Sequence, residues 1–344
     1  MSTPQPDLDR DPVASDTGPG REVPVIDVGP LAAAFEGAAV SDVAEKIAAA
    51  CREWGFFQVV NHGLDDRPRG NLLEGVRAQM EAFFGLPRAD KEAILRTREN
   101  PWGYYDNELT KNQRDRKEVF DFTREDSDEI YRAANRWPPL AGFRSTMLSW
   151  LDACEQLSLR LLAALCVGLD LAPDALAPSF TPWHTGFVRL NHYPVEDPMA
   201  GSTTTHLPVA DRGVHHHTDA GALTVLLQDD VGGLQVHRDG SWYDVAPVPG
   251  ALVINTGDMM QVWSNDIYRA AMHRVLAMER KDRFSIPFFF NPAAGTVVEP
   301  LPSTVGEARP AHYRPIDWSE FRGRRTDGDY ADYGPEVQIS QYRI

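Results

Sequence analysis

With 344 residues, 42% of them hydrophobic, the chain can bury a sizeable core, and β-rich barrels with helical additions reach this length as one unit. A formal net charge of −16 argues against nucleic acid or an anionic membrane as partner, since phosphate backbones demand a basic face. No apolar run approaches the roughly 20 residues of a membrane span.

The N-terminal stretch MSTPQPDLDRDPVASDTGPG lacks the basic segment and apolar run of a secretory signal, and its Pro, Asp, Ser and Gly content reads as a disordered arm over residues 1–21. Cys51, Cys154 and Cys166 lie in apolar helical patterns and read as reduced core thiols of a cytoplasmic protein. A single domain is expected over 22–344: a mainly helical region (22–181), a β-rich core (182–300) and a polar, aromatic tail (301–344) wrapping the surface. Monomer is the expected state.

VPVIDV (23–28), with Pro24 near its start, suits an edge strand. A helix is predicted from Ser41 as N-cap, with Val43, Ile47, Ala50 and Trp54 on one face and Gly55 ending it. GFFQVVNHG (55–63) reads as a buried strand, with His62 structural in its closing turn. A second helix carries Leu72, Leu73, Val76, Met80, Phe83 and Phe84, and the longest runs from about Gly142 to Leu169. NPWGYYDNE reads as a polar loop whose Trp102, Tyr104 and Tyr105 either line a substrate entrance or pack onto the core.

From Pro182 the pattern changes to short β-type runs: 187–194, 222–228, 233–238, 241–247, 251–258, 273–278 and 283–292. Asp239-Gly240 between two of them signals a tight hairpin. Seven strands at this spacing predict a sandwich or barrel, with a jelly roll the leading candidate, so the fold class is mixed α/β, mainly β, with N-terminal helices buttressing a double-stranded β-helix core.

Five of the ten histidines, His192, His206, His215, His216 and His217, fall between residues 192 and 217. In His217-Thr218-Asp219, residues i and i+2 of an extended chain project to one side, so an imidazole and a carboxylate can converge on one ion. His273, opening a β run after a polar loop, is the candidate third ligand. Two histidines and one carboxylate form the facial triad of non-haem Fe(II) oxygenases, although imidazole suits zinc and copper as well. Arg283 and Ser285 share a face one strand later, and a guanidinium pairs bidentately with a carboxylate. A dicarboxylic keto acid that chelates the metal at its other end would supply that anion; a local Asp or Glu is the alternative. His215 faces the same way as His217, and His216 the opposite way; each reads as a satisfied or exposed histidine, or as a neighbour of the ligands.

HHHTDAGALTVLLQDDVGGLQVHRDGSWYDVAPVPGALVINTGDMMQVWSN, continued by AMHRVLAMERKDRFSIPFFFNP, resembles the C-terminal core of the isopenicillin N synthase-like 2-oxoglutarate/Fe(II) dioxygenases. VPVIDV, GFFQVVNHG and NHYP (191–194) resemble motifs of the same family, and the resemblance spans about residues 22 to 342. It implies that His217, Asp219 and His273 ligate Fe(II), that Arg283 and Ser285 grip the distal carboxylate of 2-oxoglutarate, and that Asn191 and Tyr193 help hold cosubstrate or substrate. His192 departs from the family's usual tyrosine. Gly232-Gly233 and Asn255-Thr256-Gly257-Asp258 match family turns and read as backbone geometry.

The activity so implied is O2-dependent hydroxylation, desaturation or cyclisation of a small metabolite, with release of succinate and CO2. An amino-acid-like, peptide or terpenoid metabolite of a secondary pathway is the expected substrate. Alternatives are an Fe(II)/O2 oxidase or cyclase of the same fold without 2-oxoglutarate, a Zn(II) hydrolase, and a non-catalytic metal-binding jelly roll.

Overall fold

The structure is a computed structural model and describes residues 8, 11–14, 22–32, 38–64, 71–110, 113–125, 133–199, 212–328 and 337–344. In chain order the elements are β1 (Val25–Asp27), α1 (Ala38–Glu53), β2 (Phe56–Val60), α2 (Leu72–Phe84), α3 (Arg88–Glu92), β3 (Gly103–Tyr105), β4 (Leu109–Thr110), β5 (Gln113–Arg114), β6 (Glu118–Thr123) and α4 (Phe143–Val167). There follow β7 (Phe187–Tyr193), β8 (Arg212–His217), β9 (Leu223–Gln228), β10 (Leu234–Arg238), β11 (Ser241–Asp244), β12 (Leu252–Thr256), α5 (Asp258–Trp263), β13 (His273–Leu276), β14 (Arg283–Phe290), β15 (Val297–Val298), β16 (Ile316–Asp317) and α6 (Trp318–Gly328).

Two sheets carry the architecture. One has eight strands in the order β1-β2-β12-β9-β14-β7-β6-β3, the other four in the order β11-β10-β13-β8. Period-2 alternation sorts the side chains of the larger sheet. Val188 and Leu190 of β7, Val225 and Leu227 of β9, Ile254 of β12 and Phe288 of β14 join the helices α1, α2 and α4 in one core. From the other face Phe56, Tyr193, Leu226 and Val253 meet Val214, Val236 and Val275 of the smaller sheet in a second apolar cluster. The polar residues that interrupt this inner face, Asn191, Thr224, Asn255, Arg283 and Ser285, line a cavity between the sheets.

All seven expected strands of the second half form, and β1 lies at a sheet edge. The β10–β11 turn has Asp239 at φ 49° and Gly240 at φ 78°, both left-handed, as a two-residue hairpin requires. α2 is capped by Asn71, whose side chain accepts from the Leu73 and Glu74 amides, and α4 buries the expected stripe.

Five expectations are corrected. α1 begins at Ala38, so Ser41 lies within it rather than at its cap. The first half contributes β3 and β6 to the large sheet besides β1 and β2, because the charged residues of β6, Glu118 and Asp121, are buried with partners and mask an inward strand. In the aromatic segment Gly103–Tyr105 is a strand rather than loop, and the packing alternative holds: Trp102 and Tyr104 are 2% and 1% exposed and pack on Phe187 and Phe83. Part of the expected disordered arm is tied down: Val13 bridges Trp242, Ala14 donates to the Trp242 carbonyl, and the Trp242 indole donates to the Leu8 carbonyl. Residues 1–7, 9, 10 and 15–21 of that arm, and His206, lie outside the described residues. Finally, the tail does more than wrap the surface, since α6 buries Trp318 and Phe321 and sends Arg322 and Arg325 toward the inter-sheet space. No described helix is long and apolar enough to cross a membrane, and all three cysteines are free and buried.

Candidate metal and cosubstrate site

His217 ends β8 and His273 opens β13, and the two face each other as partners across these strands. A register shift follows between His273 and Val275, a bulge of the kind that re-aims side chains beside sites. Asp219 lies two residues past the end of β8, and one donor atom from each of the three side chains lies within 4.8 Å of the others. The His217 and His273 Nε2 atoms are 3.7 and 3.6 Å from Asp219 Oδ1.

The remaining polar atoms are held so as to leave those three free to converge. His217 Nδ1 lies 2.8 Å from the His215 carbonyl and His273 Nδ1 3.0 Å from that of Ala271, so each Nδ1–H donates and each Nε2 keeps its lone pair for the centre. Asp219 Oδ2 accepts from Thr224 Oγ1 at 2.5 Å and Asn255 Nδ2 at 2.8 Å, which turns Oδ1 toward the histidines. Thr224 and Asn255 are directly paired residues of β9 and β12, so both donors come from one rung of the large sheet. Burial pushes the His217 imidazole well below its ordinary value, aided by His273 and opposed by Asp219, which keeps the ring neutral. Burial alone would raise the Asp219 carboxyl; His273, His217 and the bonds from Asn255 and Thr224 outweigh it and hold the group below the ordinary carboxylate range. The Asp219 carbonyl accepts from the Asp258 amide at 2.7 Å. Gly257 is required by close approach there, since a Cβ would meet Gly221 O at 2.4 Å and Asp219 O at 2.8 Å.

The β7–β14 pair supplies the next row. Arg283 lies opposite Tyr193, and Ser285 opposite Asn191, whose Nδ2 donates to Ser285 Oγ at 3.3 Å. Arg283 is 1% exposed, its guanidinium carbon sits 5.0 Å from the Tyr193 ring centroid, and its Nε and Nη1 have no hydrogen-bond partner among the described residues. A buried guanidinium with unmet donors is costly unless an anion completes it, so this arrangement fits a carboxylate ligand. Arg283, Ser285, Asn191, Tyr193, His217, Asp219 and His273 all line one cavity.

The other histidines serve elsewhere. His192 points away, stacked on Phe284 with its nitrogens at Glu118 (2.7 Å) and Asp282 (3.1 Å), so its departure from the family tyrosine leaves this cavity untouched. His215 contributes its carbonyl to His217, while its ring meets Gln113; His216 packs toward Trp242; His62 bonds the Gly250 carbonyl. Sequence inspection passed over Thr224 and read Asn255 only as part of a turn, although each is a polar residue within a largely apolar strand (ALTVLLQ, ALVINT). It also passed over Lys117, Arg189, Arg322 and Arg325, which line a second cleft against His217 and Asp219.

Two facing sheets with two imidazoles and a carboxylate converging between them form a group able to hold one metal ion, with the ligand types of the non-haem iron enzymes. The 2OG-Fe(II) oxygenase superfamily model matches residues 185–292, and the model for the non-haem dioxygenase in morphine synthesis N-terminal region matches 23–140. The chain is 36% identical over 290 residues to a bi-functional coumaroyl CoA and feruloyl CoA ortho-hydroxylase of Ipomoea batatas, covering 81% of this chain and 75% of that one. It is 30% identical to jasmonate-induced oxygenase 2 of Arabidopsis thaliana, covering 96% and 86%. Among solved structures, JOX2 in complex with 2OG, Fe and JA superposes with a TM-score of 0.76 at 27% identity, covering 98% of this chain and 93% of that one. The rice dioxygenase for auxin oxidation gives 0.70 at 26%, covering 94% and 100%. The protein belongs to the 2OG-Fe(II) oxygenase superfamily: it is an Fe(II)- and 2-oxoglutarate-dependent oxygenase acting on a small molecule.

Proposed function

We infer that His217 Nε2, Asp219 Oδ1 and His273 Nε2 hold the iron, and that Arg283, with Ser285, Asn191 and Tyr193 beside it, receives the distal carboxylate of 2-oxoglutarate. The single observation that carries the cosubstrate assignment is the buried Arg283 guanidinium with unmet Nε and Nη1 donors in the cavity that the three ligands share. The same feature disfavours a 2-oxoglutarate-free oxidase at this site, and a zinc hydrolase has no use for it. We read the two sheets as a double-stranded β-helix, and residues 22–344 as one unit, because β1, β2, β3 and β6 share a sheet with β7, β9, β12 and β14.

When bound, Fe(II) and 2-oxoglutarate supply O2 activation and oxidising power, with succinate and CO2 released. The chain's own work is positional. Thr224 and Asn255 fix the carboxylate rotamer, and the His215 and Ala271 carbonyls fix the imidazole tautomers. Arg283 sets the reach of the cosubstrate from one end of the cavity. Phe56, Leu226, Leu234 and Val275 give it apolar walls that keep bulk water out. No side-chain acid or base is needed at the oxidised carbon, so the placement of substrate decides between hydroxylation, desaturation and ring closure.

Succinate formed by Fe(II)-loaded protein under air, with 2-oxoglutarate and a candidate substrate mixture, tests the assignment. Wild type should form it and Arg283→Gln should need far more 2-oxoglutarate. Equal dependence on 2-oxoglutarate in the two proteins would remove Arg283 from the role.

A further inference from the structure

We propose that the substrate is an uncharged molecule with an apolar body, whose carbonyl or hydroxyl oxygens are received by Lys117 Nζ and Thr218 Oγ1; this rests on the metal and cosubstrate site assigned above. A second cleft adjoins the cavity of that site, and Lys117, Arg189, His217 and Asp219 line both. A molecule in this cleft therefore lies against the proposed ligands.

The β6–β7 register accounts for Lys117. Val119 lies opposite Asn191 and Asp121 opposite Arg189, so period 2 puts Lys117, two residues before Val119, on the inward face of the large sheet. Lys117 is 4% exposed, with Nζ 2.6 Å from Glu108 Oε2 and 3.1 Å from Asp115 Oδ2. Burial alone would lower the ammonium, but the two carboxylates outweigh it and keep the group charged. Arg96 and Arg189 each pair with Glu108 and Asp121, so the formal charges of these three cations and three acids cancel. An ammonium carries three N–H donors, and among the described residues two carboxylates stand at this one. A neutral acceptor can take the third donor at no cost in charge. A substrate carboxylate would instead be a further anion beside Glu108, Asp115 and Asp219.

Thr218 is the second point of recognition. It stands between two proposed ligands and lines the cleft, and its carbonyl accepts from Arg325 at 2.8 Å, which ties the backbone there to α6. The side chain is 8% exposed, and among the described residues its Oγ1 has no hydrogen-bond partner. A buried hydroxyl left so is costly, and an oxygen on a bound molecule would meet the need. The rest of the lining suits an apolar body. Phe187 and Phe289, paired across β7 and β14 with ring centroids 4.8 Å apart, form a wall with Leu109 and Val214. Few polar groups set in an apolar cleft beside the metal ligands would fix which carbon is presented.

The test is equilibrium binding to the full chain loaded with Mn(II) and 2-oxoglutarate, by calorimetry, of phenylacetamide, cinnamamide and octanamide, each beside its carboxylate. At least one amide should bind about tenfold or more tighter than its acid. Thr218→Val, which keeps the shape and deletes the hydroxyl, should weaken that amide by about fivefold or more, and Thr218→Ser by less. Lys117→Met should weaken it by about tenfold or more. Because Lys117→Met also strips a cation from Glu108 and Asp115, its fold is checked by circular dichroism, and Thr218→Val decides alone if it does not fold. A role of Thr218 confined to packing would move thermal stability and leave amide affinity as in wild type. No binding by any amide, acids binding as tightly as amides, or amide affinity within about twofold of wild type in either folded variant would overturn the proposal. Titration of 2-oxoglutarate into the same Mn(II)-loaded proteins separates the two levels. Its failure in wild type would remove the cosubstrate assignment, whereas normal 2-oxoglutarate binding without amide preference would remove only the substrate class.

Discussion

Thr224→Val probes the metal site without touching a ligand. The substitution is close to isosteric and keeps a β-branched residue in β9, but deletes one of the two donors to Asp219 Oδ2. Thr224, Asn255 and Asp219 are 3%, 2% and 7% exposed, so water cannot readily replace the lost bond. A hydrogen bond to a charged, buried acceptor contributes about 2 kcal/mol, which corresponds to roughly 30-fold in a binding constant. The deficit should appear in metal affinity, because that bond is what turns Oδ1 toward the two Nε2 atoms. Mn(II) titration of the apo protein, followed by the free-ion electron paramagnetic resonance signal, should therefore show about 30-fold weaker binding, with the far-ultraviolet dichroism of wild type. Asn255→Ala should act in the same direction, and the double variant should fall short of additivity because both donors serve one oxygen. Affinity within about twofold of wild type, with the fold intact, would refute the claim that Oδ2 is the anchored oxygen and Oδ1 the ligand.

Three further outcomes are expected. Arg283→Gln should raise the KM for 2-oxoglutarate by about 100-fold, the effect of removing roughly 3 kcal/mol from a desolvated charge pair, while Mn(II) affinity stays as in wild type; a parallel loss of metal would show that Arg283 acts on the ligands instead. Burial raises the Glu118 carboxyl, but the bonds from His192 and Lys91 outweigh it and hold the group below its ordinary value. Its stabilising contribution is therefore full above the ordinary glutamate value near 4.3 and is lost as pH falls through the lower folded value, so Glu118→Gln, costing up to about 3 kcal/mol at neutral pH, should draw toward wild-type melting behaviour as pH falls below the ordinary value; a gap independent of pH would contradict this. Cys51, Cys154 and Cys166 are fully buried, and burial pushes the Cys51 and Cys166 thiols up, so iodoacetamide should label none in the native protein and all three after denaturation; native labelling would show an opening that the packing does not predict.

What could be read from the sequence followed the strength of local signals. The strands of the second half are bounded by Gly, Asp, Asn and Pro, and all seven form. His217-x-Asp219 and Arg283-x-Ser285 were legible because period 2 puts each pair on one face, and the structure brings both pairs and His273 to one cavity. β6 was missed because EVFDFT buries Glu118 and Asp121, a pattern that looks solvent-facing until Lys91, Arg96 and Arg189 are known to surround it. Trp102 and Tyr104 were placed in a loop for the related reason that NPWGYYDNE is polar around them. Thr224 and Asn255 act through a cross-strand pairing between residues 31 positions apart, which no local pattern records. α6 escaped notice because its sequence, WSEFRGRRTDG, is polar apart from two aromatic anchors, and its arginines gain meaning only from the cleft they enter.

The most direct measurement is a crystal structure of the protein loaded anaerobically with Mn(II) and 2-oxoglutarate. The account predicts one metal ion bound by His217 Nε2, Asp219 Oδ1 and His273 Nε2, with the distal carboxylate of 2-oxoglutarate on Arg283. A metal bound by another ligand set, or 2-oxoglutarate ordered away from Arg283, would contradict it.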